Sequence, residues 1–291
     1  MTKVFLDYDQ KALDDAYDQA VYAPNRDQIL ARLAHTSELT RRRIGAPERF
    51  RYGEKDIEGL DVYRAKQAGA PVNVFVHGGA WRGGLARDYA FPAEMFMRAG
   101  ATFVALDFNN VLETHGDLMA MAEQVRRGIA WVFLNAGRLG VDASRFYVSG
   151  TSSGAHLGGV AAATDWTTYG LPADAVKGYT LCSGMYDLRG PRLSKRSSYV
   201  KFTDEVEQAL SPQRHLERIR APIVLIYGSL ETPEFQRQSR DFADALTRAG
   251  KSAEIIRAEG YNHFEITETL GNPYGPMGRA VLTQMKLARD A

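Results

Sequence analysis

The polar and apolar positions of this chain change period along its length. Residues Ala12 to Val21 and Arg26 to Arg43 carry apolar side chains at helical spacing; in the second stretch Ile29, Leu30, Leu33 and Ala34 recur with arginines between them. Gly45-Ala46-Pro47 then breaks the pattern. From Arg49 the texture becomes short runs of β-branched and aromatic residues: Arg49 to Tyr52, Leu60 to Tyr63, Val72 to Val76 and Thr102 to Asp107. Four more such runs follow at Phe146 to Ser149, Tyr179 to Cys182, Ile223 to Tyr227 and Ala253 to Arg257. Helical spacing fills Tyr89 to Ala99, Leu118 to Leu134, Ala155 to Ala163, Pro233 to Ala249 and Met277 to Ala288. Strands alternating with helices of this length predict an α/β fold, a mainly parallel eight-stranded sheet with helices on both faces and antiparallel strands leading in. The chain reads as a single domain over residues 1–291. Its N-terminal helical segment, 1–45, reads either as packing or as a cap over one end of a site. Residues 187–212 lack clear periodicity and read as a loop or lid.

Composition narrows the class. The 291 residues are 45% hydrophobic, ample for a large core, and the formal net charge of +1 points to no nucleic-acid or anionic-membrane partner. Arg41-Arg42-Arg43 falls where a helix should end, which suits a solvated basic terminus. Cys182 is the only cysteine, so no internal disulfide forms, and within an apolar strand its thiol is expected to be inert. Met1 to Gln10 holds no apolar signal core and no stretch is long enough to span a bilayer, so the expectation is a cytoplasmic protein. Neither metal-ligand spacing nor a phosphate-cradling loop is visible, and no cofactor is expected.

One stretch carries chemistry. Gly150-Thr151-Ser152-Ser153-Gly154 fits G-x-S-x-G and sits between the strand Phe146 to Ser149 and a helix. Such an elbow holds a serine in a strained turn with its hydroxyl above the sheet, and close chain crossings demand small residues two before and two after it. The helix that follows aims free N–H groups and its positive dipole end at the serine.

A serine hydroxyl needs a base, an orienting acid and donors for the oxyanion. His77-Gly78-Gly79-Ala80-Trp81 directly follows the strand Val72 to Val76, where an α/β-hydrolase places its oxyanion loop. Gly79 and Ala80, with Gly78 as a further candidate, are the expected donors together with Ser153. His77 is expected to fix the loop rather than act as base. In this fold the order is nucleophile, acid, histidine. Glu231, just past the strand Ile223 to Tyr227, is the first choice of acid; Glu234 and Asp187 compete. Of six histidines only His263 follows the last strand, in Gly260-Tyr261-Asn262-His263-Phe264, and it is the expected base.

With these motifs in place, the sequence resembles the kynurenine formamidase (arylformamidase) branch of the α/β-hydrolases, near the hormone-sensitive-lipase-like esterases. The resemblance runs over nearly the whole chain, through the Tyr17 to Arg43 helical region, the His77 to Trp81 motif and the Gly150 to Leu157 elbow. It continues through Ser183-Gly184-Met185-Tyr186-Asp187-Leu188, Ser211-Pro212, Glu231 to Phe235 and Asn262-His263-Phe264. It implies Ser152 as nucleophile, Glu231 as acid, His263 as base, and Asp187 in a structural turn. Two departures stand out. Thr151-Ser152-Ser153 replaces the His-Ser-Ala of many relatives, and Asp107-Phe108-Asn109-Asn110-Val111 replaces a Tyr-x-Leu-x-Pro run. The expected reaction is cleavage of an amide or ester through an acyl-enzyme, with an aryl formamide such as N-formylkynurenine as substrate. A carboxylesterase for small acyl esters is the alternative, and a non-catalytic binding module on the same fold a distant third. Trp81, Phe108, Asn109, Tyr186 and Phe264 are candidate walls of the small-molecule pocket. A homodimer is a family-level expectation.

Overall fold

A computed structural model describes residues 2–288. Eight strands form one sheet: β1 (Glu48–Arg51), β2 (Gly59–Tyr63), β3 (Ala70–Val76), β4 (Thr102–Leu106), β5 (Val141–Thr151), β6 (Gly178–Cys182), β7 (Ile223–Gly228) and β8 (Ala253–Ala258), in the order β1-β2-β4-β3-β5-β6-β7-β8. The β1–β2 and β2–β4 pairs are antiparallel and every later pair is parallel. The antiparallel lead-in and the parallel remainder follow the expected plan.

Alternation along each central strand sorts side chains into two layers, because successive residues point to opposite faces. Val72, Val74, Val76, Val104, Leu106, Phe146 and Val148 pack with the helices Leu118–Leu134, Ser153–Ala162 and Pro233–Arg248. Phe75, Phe103, Ala105 and Tyr147 pack with the helices Arg26–Ile44, Ala93–Arg98 and Pro276–Gln284. β3 is buried along its whole length, as a parallel strand covered on both sides must be.

The structure redraws several expected boundaries. The helix expected over Ala12 to Val21 is two pieces, Gln10–Ala16 and Gln19–Tyr22, because Asp18 leaves helical geometry and caps the second piece through the Ala20 N–H. The helix expected from Tyr89 begins only at Ala93, since Pro92 supplies no N–H to continue a preceding turn. The last helix ends at Gln284 rather than Ala288, and Lys286 lies beyond it in left-handed backbone. Between β6 and β7 the aperiodic stretch holds two short helices, Arg189–Leu193 and Asp204–Ala209. Among the described residues no helix is long and apolar enough to cross a membrane.

His156, on the helix after β5, ties this aperiodic stretch to the sheet. Its Nε2 lies 2.8 Å from the Leu210 carbonyl, and its Nδ1 accepts from the Trp81 indole N–H at 3.2 Å. The Nδ1 contact requires that nitrogen to be unprotonated and so fixes the neutral ring with its proton on Nε2, and burial lowers its pKa to about 4. An unfolded histidine gains its proton near pH 6.5, so the unfolded chain binds more protons between the two values. Stability from this site is therefore present above about pH 6.5 and is lost as pH falls toward 4, by up to ~3 kcal/mol. Urea unfolding from pH 7.5 to 4.5 should show a decline that is shallower in His156→Gln; equal slopes in the two proteins would refute the assignment.

Candidate active site

At the end of β5 the chain turns through Ser152 with φ 55° and ψ −125°. This is costly backbone for a residue with a Cβ, and it persists because the surroundings fix it. The Ser152 amide donates to the Cys182 carbonyl on β6 at 2.8 Å, while the His156 amide returns to the Ser152 carbonyl at 3.1 Å. On the far side of the turn a Cβ at Gly154 would lie 2.1 Å from the Val76 carbonyl oxygen and 2.4 Å from that of His77. Only glycine allows the helix Ser153–Ala162 to start against the end of β3.

The chain leaving β3 runs through Gly79, Ala80 and Trp81, all with positive φ. Among the described residues the Gly78, Gly79, Ala80 and Ser153 amides donate no hydrogen bond. His77 is fully enclosed, stacked on Phe108 at 4.3 Å and Tyr89 at 5.5 Å, with Nδ1 2.8 Å from the Gly78 carbonyl. Burial lowers its pKa. It holds the loop, and among the described residues no hydrogen bond joins it to Ser152.

The structure brings Ser152, His263 and Glu231 together. His263 Nε2 lies 2.9 Å from Ser152 Oγ, and His263 Nδ1 lies 2.8 Å from Glu231 Oε2. Ser152 is part-buried, whereas His263 and Glu231 are buried. The histidine loop crosses the end of β7, where a Cβ at Gly228 would meet the Tyr261 carbonyl oxygen at 2.2 Å. Asn262 shapes the loop, accepting from the Phe264 and Glu265 amides at 3.0 and 3.1 Å. Phe235 and Phe264 flank the imidazole edge-on, with centroids 5.0 and 5.2 Å away.

Glu231 is met by four donors. Besides His263 these are the Ser183 hydroxyl at 2.5 Å, the Gly228 amide at 2.7 Å and the Gln19 amide nitrogen at 3.0 Å. The two competing carboxylates point elsewhere. Glu234 accepts from Tyr17 and Arg237, and Asp187 accepts from Arg214 and the Arg189 amide. Sequence reasoning gave no role to Gln19 or Ser183. Ser183 stood inside a recognised motif, and its positive φ of 59° marks it in the structure. Gln19 left no sequence signal, because the contact spans 212 positions.

The expected pocket walls divide. Trp81 sits beside the glycine loop with its N–H on His156, Phe108 lies behind His77, and half-buried Phe264 covers His263. Tyr186 is a correction: it is wholly buried and stacks on Phe242 at 4.5 Å, because the chain after β6 turns its ring into the helical layer. Asn109 is a second correction. Its side chain donates to Glu113 and accepts from Gln124, so its amide is committed to its own loop. Cys182 is buried in β6, which pushes its thiol pKa up and leaves it a poor nucleophile.

The sheet order and the serine–histidine–glutamate arrangement at the ends of its parallel strands define an α/β-hydrolase. Residues 60–177 match the BD-FAE family model. The chain is 31% identical over 226 residues to the kynurenine formamidase of Danio rerio and 32% identical over 231 residues to that of Salmo salar, covering 75% of each chain in both cases. It belongs to the kynurenine formamidase-like branch of the α/β-hydrolases, and it is an enzyme, a hydrolase of the esterase and formamidase type. The esterase LipC of Mycobacterium tuberculosis is 28% identical, over 89% of this chain and 68% of that one. Among solved structures, esterase LipW of Mycobacterium marinum superposes with a TM-score of 0.70 at 22% identity, over 94% of this chain and 90% of that one. At that identity the likeness is one of fold.

The crowding at Gly154 gives a test. Gly154→Ala sets a methyl group against two backbone oxygens that cannot move independently of β3. We expect a loss on the order of 3 kcal/mol, roughly 6–12 °C in melting temperature. Calorimetry showing an unchanged transition would mean that the turn is not held against β3.

Proposed function

We propose that the protein cleaves an amide or ester bond through a covalent acyl-enzyme, with Ser152 as nucleophile, and that its substrate is an aryl formamide of the N-formylkynurenine type. The observation that carries this reading is the pair of hydrogen bonds from His263, 2.9 Å to Ser152 and 2.8 Å to Glu231. Glu231 fixes the proton on Nδ1 and leaves Nε2 to accept the serine proton. As that proton moves, Oγ bonds to the carbonyl carbon. The carbonyl electron pair shifts to oxygen, where the unoccupied amides of Gly79, Ala80 and Ser153, with Gly78 as a further donor, stabilise the charge. His263 then passes its proton to the leaving nitrogen, the C–N bond breaks, and the acyl group remains on Ser152. Water, activated by the same imidazole, releases the acid and restores the hydroxyl.

Support for the formamide comes from the two fish relatives named kynurenine formamidase. The chemistry agrees: an aryl amine leaves more readily than an alkyl amine, and a formyl group is the smallest acyl unit. LipC favours a second reading, a carboxylesterase for small acyl esters, which the same residues serve. The deciding assay compares kcat/KM for N-formylkynurenine and 4-nitrophenyl acetate, with Ser152→Ala as blank. Preference for the formamide is the expected result; efficient ester cleavage beside poor formamide cleavage would replace it with the esterase reading. Ser152→Ala and His263→Ala should each lose roughly ten-thousand-fold or more in kcat, because the group acts as a unit. Glu231→Gln should lose at least about a hundredfold, while Asp187→Asn stays within a few-fold; the reverse ranking would move the acid to Asp187.

Gln19 enters this reading as a positioning residue, since it donates to the same Glu231 oxygen that His263 uses. Removing a hydrogen bond to a carboxylate costs about 1.5–3 kcal/mol. Gln19→Leu should therefore lower kcat about tenfold or more while changing KM less. A change confined to KM would assign Gln19 to binding instead.

A further inference from the structure

Arg196 lies in the turn Lys195–Ser198 between β6 and β7, and its side chain is 6% exposed. Its hydrogen bonds go to neutral groups. One Nη donates to the Tyr199 hydroxyl at 2.9 Å and the other to the Tyr17 carbonyl at 2.8 Å. Its Nε is buried and has no partner. Nearby, Arg192, Lys195, Arg214 and Arg237 each hold a carboxylate, while among the described residues Arg196 holds none. The guanidinium instead rests on two rings, with its carbon 5.4 Å from the centre of Trp81 and 5.8 Å from that of Phe235.

Those two rings locate it. Trp81 ends the glycine loop, and Phe235 packs edge-on to His263 at 5.0 Å. The two separations through Phe235 place the guanidinium carbon within about 11 Å of the His263 ring. Among the described residues no carboxylate is in contact with this buried cation, since Asp18, which feels its charge, is paired with Lys195; such a cation is costly, and aromatic faces, a hydroxyl and one carbonyl offset that cost only in part. The ligand that completes such a group is an anion, and the guanidinium fork matches a carboxylate better than any other common group.

We infer that Arg196 binds a carboxylate of the substrate. The preferred substrates are then aryl amides or esters whose leaving group carries a carboxylate on a short arm, the arm spanning from the scissile carbonyl at Ser152 to Arg196. The carboxylate belongs to the leaving group because a formyl group has no substituent to bear it. The inference rests on the reading of Ser152 and His263 as the reacting pair and assigns the residue that holds the carboxylate carried by an N-formylkynurenine-type leaving group. It gives Arg196 a role in specificity and not in bond cleavage.

The test uses an ortho-substituted formanilide and an ortho-substituted aryl acetate, each made in two forms. Within each pair the short side chain ends either in a carboxylate or in the isosteric carboxamide. The readout is the ratio of kcat/KM for the charged form to that for the neutral form, taken within one preparation, so that any loss of folded enzyme cancels. For the wild-type chain a ratio of about 30 or more is expected, falling to within about threefold of unity in Arg196→Gln and recovering in part in Arg196→Lys. A wild-type ratio near one, or a ratio kept by Arg196→Gln, overturns the inference and leaves Arg196 as a clamp between Tyr17 and Tyr199. If the acetates are cleaved and the formanilides are not, the formamide reading fails, and the acetate pair still decides the role of Arg196. Hydrolysis that survives Ser152→Ala would remove the site reading and the inference with it.

Discussion

The site depends on a backbone crossing with no room for a side chain. The start of the nucleophile helix lies against the end of β3, where a Cβ at Gly154 would come within 2.1 Å of the Val76 carbonyl oxygen. That contact fixes where the helix begins and therefore where the Ser152 turn must bend. It also sets the glycine loop beside the serine, because the loop is the direct continuation of β3. Strain at Ser152, with its positive φ, is sustained by main-chain bonds on both sides, to Cys182 on β6 and from His156 in the helix. Remove the crossing and the serine, the helix N-terminus and the loop amides lose their common reference.

A second constraint gathers the remaining group. Glu231 receives hydrogen bonds from Ser183 after β6, from the Gly228 amide at the end of β7, from Gln19 in the N-terminal segment and from His263 after β8. A buried carboxylate demands donors, and these come from four separate stretches of chain. Glu231 is therefore a junction as well as a partner of the imidazole.

Much of this was legible because it is local. The apolar runs of β3 and β4 and the G-x-S-x-G spacing are written in contiguous residues, and the sheet and the serine turn follow from them. What was not legible depends on contacts between distant stretches. Tyr186 and Phe242 are both aromatic, and sequence does not say that they stack on each other rather than line a pocket. Asn109 looks like a polar substrate contact until Gln124 and Glu113 occupy its amide. Asn25 stands at the N-terminus of the helix Arg26–Ile44, where its side chain would ordinarily cap; it bonds Asn262 and Glu265 instead. A strong local rule gave way there to a tertiary contact beside the histidine.

That substitution fits a wider pattern in the N-terminal segment. Tyr17 donates to Glu234 and its carbonyl accepts from Arg196; Gln19 reaches Glu231; Asn25 reaches both Asn262 and Glu265; Arg32 pairs with Glu268. Each partner lies on the Glu231 loop or the helix that follows it, on the histidine loop or the short helix that follows it, or in the stretch between β6 and β7. The segment Tyr17–Arg32 is thus bonded through side chains to the Glu231 and His263 loops, which also cross each other through backbone at Gly228. Backbone crossings are insensitive to side-chain change as long as glycine is kept, whereas side-chain junctions shift with each residue that joins them.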